Sequence, residues 1–559
     1  MKRYRWLQLV CAAACISWAV QFPVWAADKA DGPVEKKMAD TASASASKMV
    51  DPAFSVPKVN NPIPDEVVNG MKIVEEKGRW LVSDKALEQY GIYRADEKEG
   101  TYWFRLPPAS DGSSQWLNDY VALRLPGRDV RGGQRTINIR HVRRPLGIGY
   151  VLGETQNELY PPRKPTRVAP MLQQVKPDKA APAAVQKQGK MGLVLFWDPK
   201  MDEDALLPAL QTAQPVMSPC AFRLSDTGVL LRNPDFDMLA EQYASKGYAM
   251  WPLVDNNFDP DLTHRILQDE RLQEQLIQEL IGYALLYEFK GYNLDFENIN
   301  YADRDGLTRF VAAVSKACHA YGLQVSMDVT PLSDSPNWSL VYDRQALASS
   351  LDYLMVMAYD QYGRTSPVAG PVASLPWVEK AVQDMVPLVG AHKLILGMPL
   401  YMRLWYESAD GKELPADMNL WPPLAGTKKK TEPAANPAAP VPDTDRAATG
   451  SKAELPDGNS KRTKAPRKPK LFVRTLSMAD SEAVREKYKS YVKWDDALHL
   501  YVLDVPLETG RVKIWFEDEQ SLKAKAELVK TYQLGGVSLW RKGFESPQFW
   551  DNFAKHELT

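Results

Sequence analysis

The chain has 559 residues, more than one hydrophobic core usually organises, so its length predicts two domains joined by linkers. Hydrophobic residues make up 45% of the chain and charged residues 25%, which is the balance of a globular protein. The formal net charge of −1 excludes a broadly basic protein, and we predict no nucleic-acid partner.

The first 26 residues have the composition of a signal peptide. Three basic residues among the first five precede an apolar run, and "VWA" provides a cleavage site after Ala26. An uncleaved membrane anchor is the alternative, but the apolar stretch is short for a membrane span. Neither Cys11 nor Cys15 follows a convincing lipoprotein signal. The sequence therefore predicts export to the periplasm, the cell wall or the outside of the cell.

Two linkers and a β-rich domain are predicted before residue 191. Residues 27–56 contain much Ala, Ser, Lys and Asp without apolar periodicity, which predicts a flexible linker. Between residues 57 and 165, short runs of alternating apolar and polar residues are separated by Pro and Gly, which predicts a small β-rich domain. The sequence assigns no role to this domain. Residues 166–190 predict a second linker.

Short apolar runs alternate with segments of helical periodicity from residue 191 to residue 555. Eight strand-like runs in this order predict an α/β fold, a (β/α)8 TIM barrel. A doubly wound open sheet is the main alternative. It is less favoured because polar residues cluster at the C-terminal ends of nearly all the runs, where the rim of a barrel would lie.

Residues 426–470 interrupt this pattern with many Pro, Ala and Lys residues and almost no apolar ones. They predict a disordered, basic insertion between strands seven and eight. Its positive charge could contact an anionic wall polymer or a membrane surface, but a solvated spacer is the preferred interpretation.

Cys220 and Cys318 remain once a signal peptide is removed. They could form one disulfide bond in an oxidising compartment, although two separate buried thiols are the default expectation. The six histidines show no metal-ligand spacing such as HxxxH. We therefore predict no metal and no other cofactor.

The stretch "GYNLDFENIN", residues 291–300, places Asn293, Asp295 and Glu297 on one face of a strand. Two neighbouring carboxylates repel each other, so we expect Asp295 to raise the pKa of Glu297 toward the range of a general acid. Glycosidic oxygens are poor leaving groups and need such a proton donor. For this pattern alone, the alternative is a pair of capping or solvated side chains at a strand end.

The segment "KGYNLDFE" resembles the fourth-strand pattern DGxDxDxE of the family 18 glycoside hydrolases. Gly291, Asp295 and Glu297 match this pattern. Lys290 stands in place of the family's first Asp, and Asn293 in place of a further Asp. The Asn resembles the branch of spore-cortex and peptidoglycan N-acetylglucosaminidases.

Three distant segments resemble the same family in the same order along the chain. "MAYD" from Met357 resembles its sixth strand, "GMPLYMRLW" from Gly397 its seventh, and "GGVSLW" ending at Trp540 its eighth. Together the resemblances cover about residues 191–555. They imply a family 18-like glycosidase on a TIM barrel, with a substrate that contains N-acetylglucosamine.

The family resemblance also implies roles for individual residues. Glu297 would protonate the leaving oxygen, and Asp295 would orient the acetamide group of the substrate. Tyr359 would hydrogen-bond the acetamide oxygen, which attacks the anomeric carbon. Five further residues are implied as substrate contacts: Asn293, Met357, Asp360, Tyr401 and Trp540.

The resulting hypothesis is a secreted hydrolase of β-1,4 N-acetylglucosaminide bonds in peptidoglycan or chitin, with peptidoglycan slightly favoured. The alternative is a non-catalytic, lectin-like protein that binds such glycans on the same barrel. Lectin-like members of the family typically replace the acid, so the presence of Glu297 favours an enzyme. A third, less favoured interpretation makes the barrel a scaffold for the β-rich domain.

Overall fold

A computed structural model describes residues 191–202, 205–212, 214–232, 236–426 and 469–558. Shorter pieces are described nearer the N-terminus: 71–72, 74–76, 79–84, 94–96, 100–109, 112, 116, 119–125, 127–130, 134–138, 149–152, 157–160 and 172. The predicted signal peptide, the linker 27–56, most of the linker 166–190 and residues 427–468 of the predicted insertion lie outside the described residues.

Ten short strands are described in the segment for which the sequence predicts β structure. They are β1 (Met71–Lys72), β2 (Val74–Glu76), β3 (Arg79–Ser83), β4 (Arg94–Asp96), β5 (Thr101–Arg105), β6 (Tyr120–Arg124), β7 (Gly127–Val130), β8 (Gln134–Asn138), β9 (Gly149–Leu152) and β10 (Asn157–Tyr160). They form three sheets, with the strand orders β1-β10-β9, β2-β3-β8-β7 and β4-β5-β6. In β5 and β6 every second side chain is buried, as the alternating sequence pattern indicates. Their separation as a domain stays a prediction.

Sixteen strands are described in the rest of the chain. They are β11 (Leu193–Asp198), β12 (Gln214–Pro219), β13 (Phe222–Ser225), β14 (Gly228–Leu231), β15 (Ala249–Met250), β16 (Leu253–Asp255), β17 (Gly291–Asp295), β18 (Gln324–Val329), β19 (Tyr353–Met357), β20 (Leu394–Pro399), β21 (Tyr401–Ser408), β22 (Lys470–Ser477), β23 (Val492–Asp495), β24 (Leu500–Leu507), β25 (Gly510–Phe516) and β26 (Gly536–Trp540).

Nine α-helices are described in the same part of the chain. They are α1 (Phe236–Ser245), α2 (Pro260–Gln268), α3 (Glu270–Tyr287), α4 (Arg304–Ala320), α5 (Arg344–Ser350), α6 (Leu375–Val389), α7 (Met478–Lys487), α8 (Glu519–Thr531) and α9 (Lys555–Glu557). Asp269 begins α3 by accepting hydrogen bonds from the N–H groups of Arg271 and Leu272. Within the described residues, no helix has both the length and the apolar composition needed to cross a membrane.

Eleven strands form one curled sheet in the order β14-β13-β16-β17-β18-β19-β20-β26-β11-β12-β15. Their pairings are parallel, apart from the β13–β14 hairpin. In β11, β17, β19 and β20 every side chain is buried, because helices cover one face of the sheet and its own interior the other. The predicted α/β fold is therefore confirmed, whereas closure of the sheet into a barrel stays a prediction.

An antiparallel sheet of five strands, in the order β22-β21-β25-β24-β23, lies in the chain between β20 and β26. The sequence analysis did not predict it. The predicted basic insertion therefore falls between β21 and β22 of this sheet, and does not connect two strands of the parallel sheet directly.

The sheet of β4, β5 and β6 packs against α3, and the N–H of Arg124 in β6 donates a hydrogen bond to the hydroxyl oxygen of Tyr283 in α3 at 3.0 Å. Gly282 of α3 permits this contact, because a Cβ atom there would lie 2.9 Å from a methyl group of Leu123. Nε1 of Trp116 donates a hydrogen bond to the hydroxyl oxygen of Tyr321, just after α4, at 3.1 Å. The two rings are stacked with their centroids 6.5 Å apart.

Cys220 lies after β12 and Cys318 lies in α4, and both are buried free thiols. The default expectation of two separate thiols is therefore confirmed.

Candidate active site

Strand β17 turns alternate side chains to opposite sides of the sheet, as its sequence predicts. The hydroxyl of Tyr292 donates a hydrogen bond to the carbonyl oxygen of Leu280 in α3 at 2.6 Å. Phe296 stacks on Phe310 of α4 with 6.2 Å between ring centroids. These contacts direct Tyr292 and Phe296 toward the helices, and leave the alternate positions facing the interior of the curled sheet.

Gly291 begins this strand where β17 and β18 lie very close together. A Cβ atom at this position would lie 2.4 Å from the carbonyl oxygen of Gln324 and 3.0 Å from Nε1 of Trp251. Only glycine fits such an approach without a shift of the backbone. Gly291 thus fixes the register that brings Asp295 to the end of the strand.

Asp295 and Glu297 are both buried at the C-terminal end of β17, with 7% and 3% of their surfaces exposed. Burial, the charge of Glu297 and the charge of Asp255 raise the pKa of Asp295 well above its ordinary value. Oδ1 of Asp295 accepts no hydrogen bond from the described residues. The sequence predicted a raised pKa at Glu297, and the structure places one at its neighbour Asp295.

Asn256, just beyond β16, holds the backbone of Glu297 from both sides. Its Oδ1 accepts a hydrogen bond from the N–H of Glu297 at 3.0 Å, and its Nδ2 donates to the carbonyl oxygen of Glu297 at 2.8 Å. Nδ2 also donates to Oγ1 of Thr263 at 2.9 Å. The sequence analysis missed Asn256, because nothing in its local pattern indicates a contact with a segment 41 residues away.

Asn293 lies beneath Asp295 and has no exposed surface. Its Nδ2 donates hydrogen bonds to Oδ1 of Asp328 at 2.9 Å and to Oγ of Ser326 at 3.1 Å, while its Oδ1 accepts from Nε1 of Trp197 at 2.7 Å. A side chain in this position supports the carboxyl groups from below. The implied substrate contact of Asn293 stays a prediction.

Asp328 of β18 adds a further buried carboxyl group to this interior, and it was not predicted from the sequence. Burial and the charge of Asp295 raise the pKa of Asp328 well above its ordinary value, and a hydrogen bond from Asn293 acts in the opposite direction. The curled sheet therefore encloses two carboxyl groups, those of Asp295 and Asp328, whose pKa values are raised by burial and by neighbouring negative charge.

Tyr359, Asp360 and Tyr401 come together beyond β19 and β20. The rings of Tyr359 and Tyr401 meet edge to face with 6.3 Å between centroids. Oδ1 of Asp360 accepts hydrogen bonds from the hydroxyl of Tyr401 at 2.6 Å and from Nη2 of Arg403 at 2.5 Å. Arg403, which the sequence analysis missed, has a fully buried side chain. Asp360 is therefore anchored, and orients Tyr401.

Trp540 ends β26 on the other side of the site. It is partly exposed, and its ring centroid lies 5.7 Å from that of Trp197, the side chain that binds Asn293. Met357, at the end of β19, is 7% exposed. All eight predicted site residues thus lie on or just beyond the C-terminal ends of β17, β19, β20 and β26.

Residues 260–544, about half of the chain, match the family model "Glycosyl hydrolases family 18". The chain belongs to this family. It is therefore a glycosidase, as the sequence predicted.

The family 18 chain has several relatives among known proteins. It is 26% identical over 314 residues to the uncharacterized glycosylase YvbX of Bacillus subtilis, covering 55% of this chain and 74% of that protein. It is 22% identical over 301 residues to the cortical fragment-lytic enzyme of Bacillus subtilis, covering 53% of this chain and 57% of that enzyme. The chain thus spans little more than half the length of the cortical fragment-lytic enzyme.

Two solved structures also resemble this chain. A chitinase from Chromobacterium violaceum has 21% identity and a TM-score of 0.48, over 66% of this chain and 99% of that one. The spore cortex-lytic enzyme SleL of Bacillus cereus has 18% identity and a TM-score of 0.49, over 66% of this chain and 74% of that one.

Replacing Asn256 by Ala should lower the kcat of the family 18 enzyme by about tenfold to a hundredfold with little change in KM, because Glu297 loses the two bonds that fix its backbone. The lost bonds should also cost about 1–3 kcal/mol of the free energy of unfolding. Steady-state kinetics and thermal unfolding measure both effects. Asn300→Ala is the matched control, because among the described residues the side chain of Asn300 donates one long hydrogen bond, to the carbonyl oxygen of Pro260 at 3.4 Å. An unchanged kcat in a folded Asn256→Ala variant would contradict the positioning role.

Proposed function

We propose that this family 18 glycosidase cleaves β-1,4 N-acetylglucosaminide bonds, with the acetamide group of the substrate as the nucleophile. The observation that carries the proposal is the buried, adjacent pair of carboxyl groups of Asp295 and Glu297. Because burial and the charge of Glu297 raise the pKa of Asp295, the pair favours holding one proton between its two groups. A glycosidic leaving group requires such a proton.

In the first step, the acetamide oxygen attacks the anomeric carbon while the glycosidic C–O bond breaks. Glu297 transfers its proton to the leaving oxygen, and a bicyclic oxazolinium ion forms. The carboxylate of Asp295 accepts a hydrogen bond from the acetamide N–H and offsets the positive charge of this ion. The hydroxyl of Tyr359 donates to the acetamide oxygen and keeps it in line.

In the second step, the carboxylate of Glu297 takes a proton from a water molecule, whose oxygen attacks the anomeric carbon and restores the acetamide. Two successive displacements retain the configuration of that carbon. Attaching the nucleophile to the substrate gives it an effective concentration that a free group lacks.

The remaining site residues form the proposed sugar pocket. The partly exposed ring of Trp540 offers an apolar face to the sugar, and the slightly exposed Met357 at the end of β19 adds an apolar contact. Tyr401 and Asp360 supply polar contacts, and Arg403 holds them in place.

We also infer that the curled sheet closes into the predicted (β/α)8 barrel. The segment 249–255 supports this closure, because β15 pairs with β12 while β16, two residues later, pairs with β17. The N–H of Trp251, between β15 and β16, donates to the carbonyl oxygen of Met217 in β12. The segment then acts as one broken strand, and the β13–β14 hairpin is an addition at the rim.

Peptidoglycan is the favoured substrate over chitin, because relatives of the chain are named cortical fragment-lytic or spore cortex-lytic enzymes. Export is supported by the signal-peptide composition of the first 26 residues. We also propose that residues 57–165 form a separate β-rich domain without an assigned role. The basic insertion is proposed as a solvated spacer, with contact to an anionic wall polymer or membrane surface as the alternative.

Mass spectrometry of products from purified peptidoglycan, chitin oligomers and matched de-N-acetylated oligomers tests the proposal. We expect cleavage after N-acetylglucosamine in at least one of the first two substrates, and none of the de-N-acetylated oligomers, because these lack the internal nucleophile. Hydrolysis of the de-N-acetylated oligomers at a comparable rate would contradict the substrate-assisted route. Cleavage of none of the three would contradict the proposed bond type.

A further inference from the structure

Strand β16 ends in a carboxylate beside the proposed catalytic pair. Asp255 of β16 is the direct register partner of Asp295 of β17. It is 2% exposed, and its charge acts on the carboxyl group of Asp295. The proposed mechanism gives no role to this buried charge.

Two arginines carried by the β13–β14 hairpin bind Asp255. Nε of Arg223 donates to Oδ1 of Asp255 at 2.6 Å, and Nη1 of Arg232 donates to Oδ2 at 3.0 Å. The N–H of Asn257 donates to Oδ1 at 2.8 Å. These donors fix the orientation of Asp255, and the two guanidinium groups offset its charge.

The hairpin holds these arginines in place because it is fastened at both ends. β13 pairs in parallel with β16, with Arg223 opposite Asp255. At the turn, the N–H of Val229 donates to Oε2 of Glu279 in α3 at 2.5 Å. The backbone that carries the two arginines is therefore held both at the sheet and at α3.

We propose that Asp255, Arg223 and Arg232 form a positioning triad that sets the electrostatic field at the carboxyl group of Asp295. The carboxylate of Asp255 opposes the ionisation of Asp295, and the two guanidinium groups favour it, because like charges repel and opposite charges attract at this range. The balance decides the pH at which Asp295 becomes the carboxylate that accepts the acetamide N–H. Only the role of the Asp295 carboxylate toward the acetamide N–H rests on the proposed function.

Other titratable and charged groups also surround Asp255 and Asp295, and single substitutions in the triad leave them in place. Glu297 next to Asp295, Asp328 on β18 and Cys220 after β12 interact electrostatically with Asp295 itself. Further out, Asp198 on β11 and Arg541 after β26 act on Cys220, Lys542 binds Asp198, and Glu279 on α3 binds the turn of the hairpin. Burial raises the pKa of Glu279 to about 7, and this carboxyl group is the same in every variant of the triad.

Opposite substitutions in the triad should move the acidic limb of the pH profile of kcat in opposite directions. Asp255→Asn removes a negative charge and leaves both arginines, so the limb should shift by about 1 pH unit to lower pH. Arg232→Gln removes a positive charge, so the limb should shift to higher pH. If the triad only supported the fold, both substitutions would lower kcat or stability, and they would not shift the acidic limb in opposite directions.

Asp119→Asn and Arg105→Gln are the matched controls, because this ion pair, 3.7 Å apart, joins the last residue of β5 to the residue just before β6. Neither control should move the acidic limb. Shifts of the same sign in Asp255→Asn and Arg232→Gln, or no shift in either folded variant, would overturn the proposal.

A second readout does not depend on turnover. The 13C resonance of the Asp295 carboxyl group, in protein labelled with [4-13C]aspartate and assigned by its loss in Asp295→Asn, reports the protonation of Asp295 directly. We expect its titration midpoint to fall in Asp255→Asn and to rise in Arg232→Gln. If the wild-type enzyme cleaves no glycan, the proposed function fails while this titration still tests the triad. Unmoved midpoints in an active enzyme would overturn the triad alone.

Discussion

Replacing Glu297 by Gln should reduce the kcat for an N-acetylglucosamine glycan by about a thousandfold, because the amide cannot transfer a proton to the leaving oxygen. The substitution keeps the size and most of the hydrogen-bonding capacity of the side chain. Asn256 binds only the backbone of Glu297, so the loop should keep its conformation. Glycan affinity should therefore survive, and calorimetry with an intact oligosaccharide measures it beside steady-state kinetics.

Glu407→Gln is the matched control for this substitution. Glu407 forms an ion pair with Lys513 at 2.8 Å within the antiparallel sheet, away from the carboxyl pair. We expect its kcat to stay close to that of the wild type. A Glu297→Gln variant that hydrolyses glycans at a near wild-type rate would remove Glu297 from the role of general acid.

Replacing Asp295 by Asn should lower kcat by about a hundredfold or more and, at neutral pH, raise the thermal stability of the enzyme. The activity falls because the acetamide group loses the carboxylate that orients its N–H and offsets the charge of the oxazolinium ion. The stability rises because burial and the charge of Glu297 raise the pKa of Asp295 in the folded protein. The wild-type enzyme therefore loses stability as the pH rises from the unfolded pKa toward the folded one, and Asn does not ionise.

Thermal unfolding at two pH values checks the sign of this effect. At pH 7 the midpoint of Asp295→Asn should exceed that of the wild type. Below about pH 3 the difference should vanish, because the aspartic acid is then mostly protonated in both the folded and the unfolded chain. The Asp119→Asn variant, in which the lost charge is exposed, should show no such gain. A midpoint at pH 7 below that of the wild type would contradict an energetic cost of the buried charge.

The parts of the fold that could be predicted are those in which one property dominates a short stretch of sequence. The strands of the parallel sheet are buried on both faces, so they appear as continuous apolar runs such as "LVLFW" at 193–197. The spacing of Asp295 and Glu297 also lies within one strand and the residues after it. Both patterns are local. The structure has a buried strand at the apolar run, and it places both carboxyl groups at the end of β17.

The antiparallel sheet of β21–β25 was missed although its sequence carries a signal. In β25 every second side chain is buried, which is the alternation of a strand with one face covered. A search for continuous apolar runs does not detect this pattern. The strands also pair with partners far along the chain, as β21 does with β25 across the low-complexity segment.

The supporting residues of the site could not be predicted because each acts through a distant partner. Asn256, Arg403 and Asp328 are single polar residues near strand ends, and their positions in sequence resemble those of ordinary rim or core side chains. Their roles follow from hydrogen bonds to Glu297, Asp360 and Asn293, which exist only after the sheet has curled.

The close contact between Gly282 and Leu123 has a practical consequence for the design of truncated forms of this enzyme. A methyl group of Leu123 in β6 occupies the space that a side chain at position 282 of α3 would fill. The surface of α3 is therefore complementary in shape to the sheet that precedes it in the chain. A fragment that starts near residue 191 would keep the carboxyl groups but would expose the apolar surface of α3 to solvent. Exposed apolar patches of this kind promote aggregation. Recombinant work on catalysis is best done with the upstream strands retained.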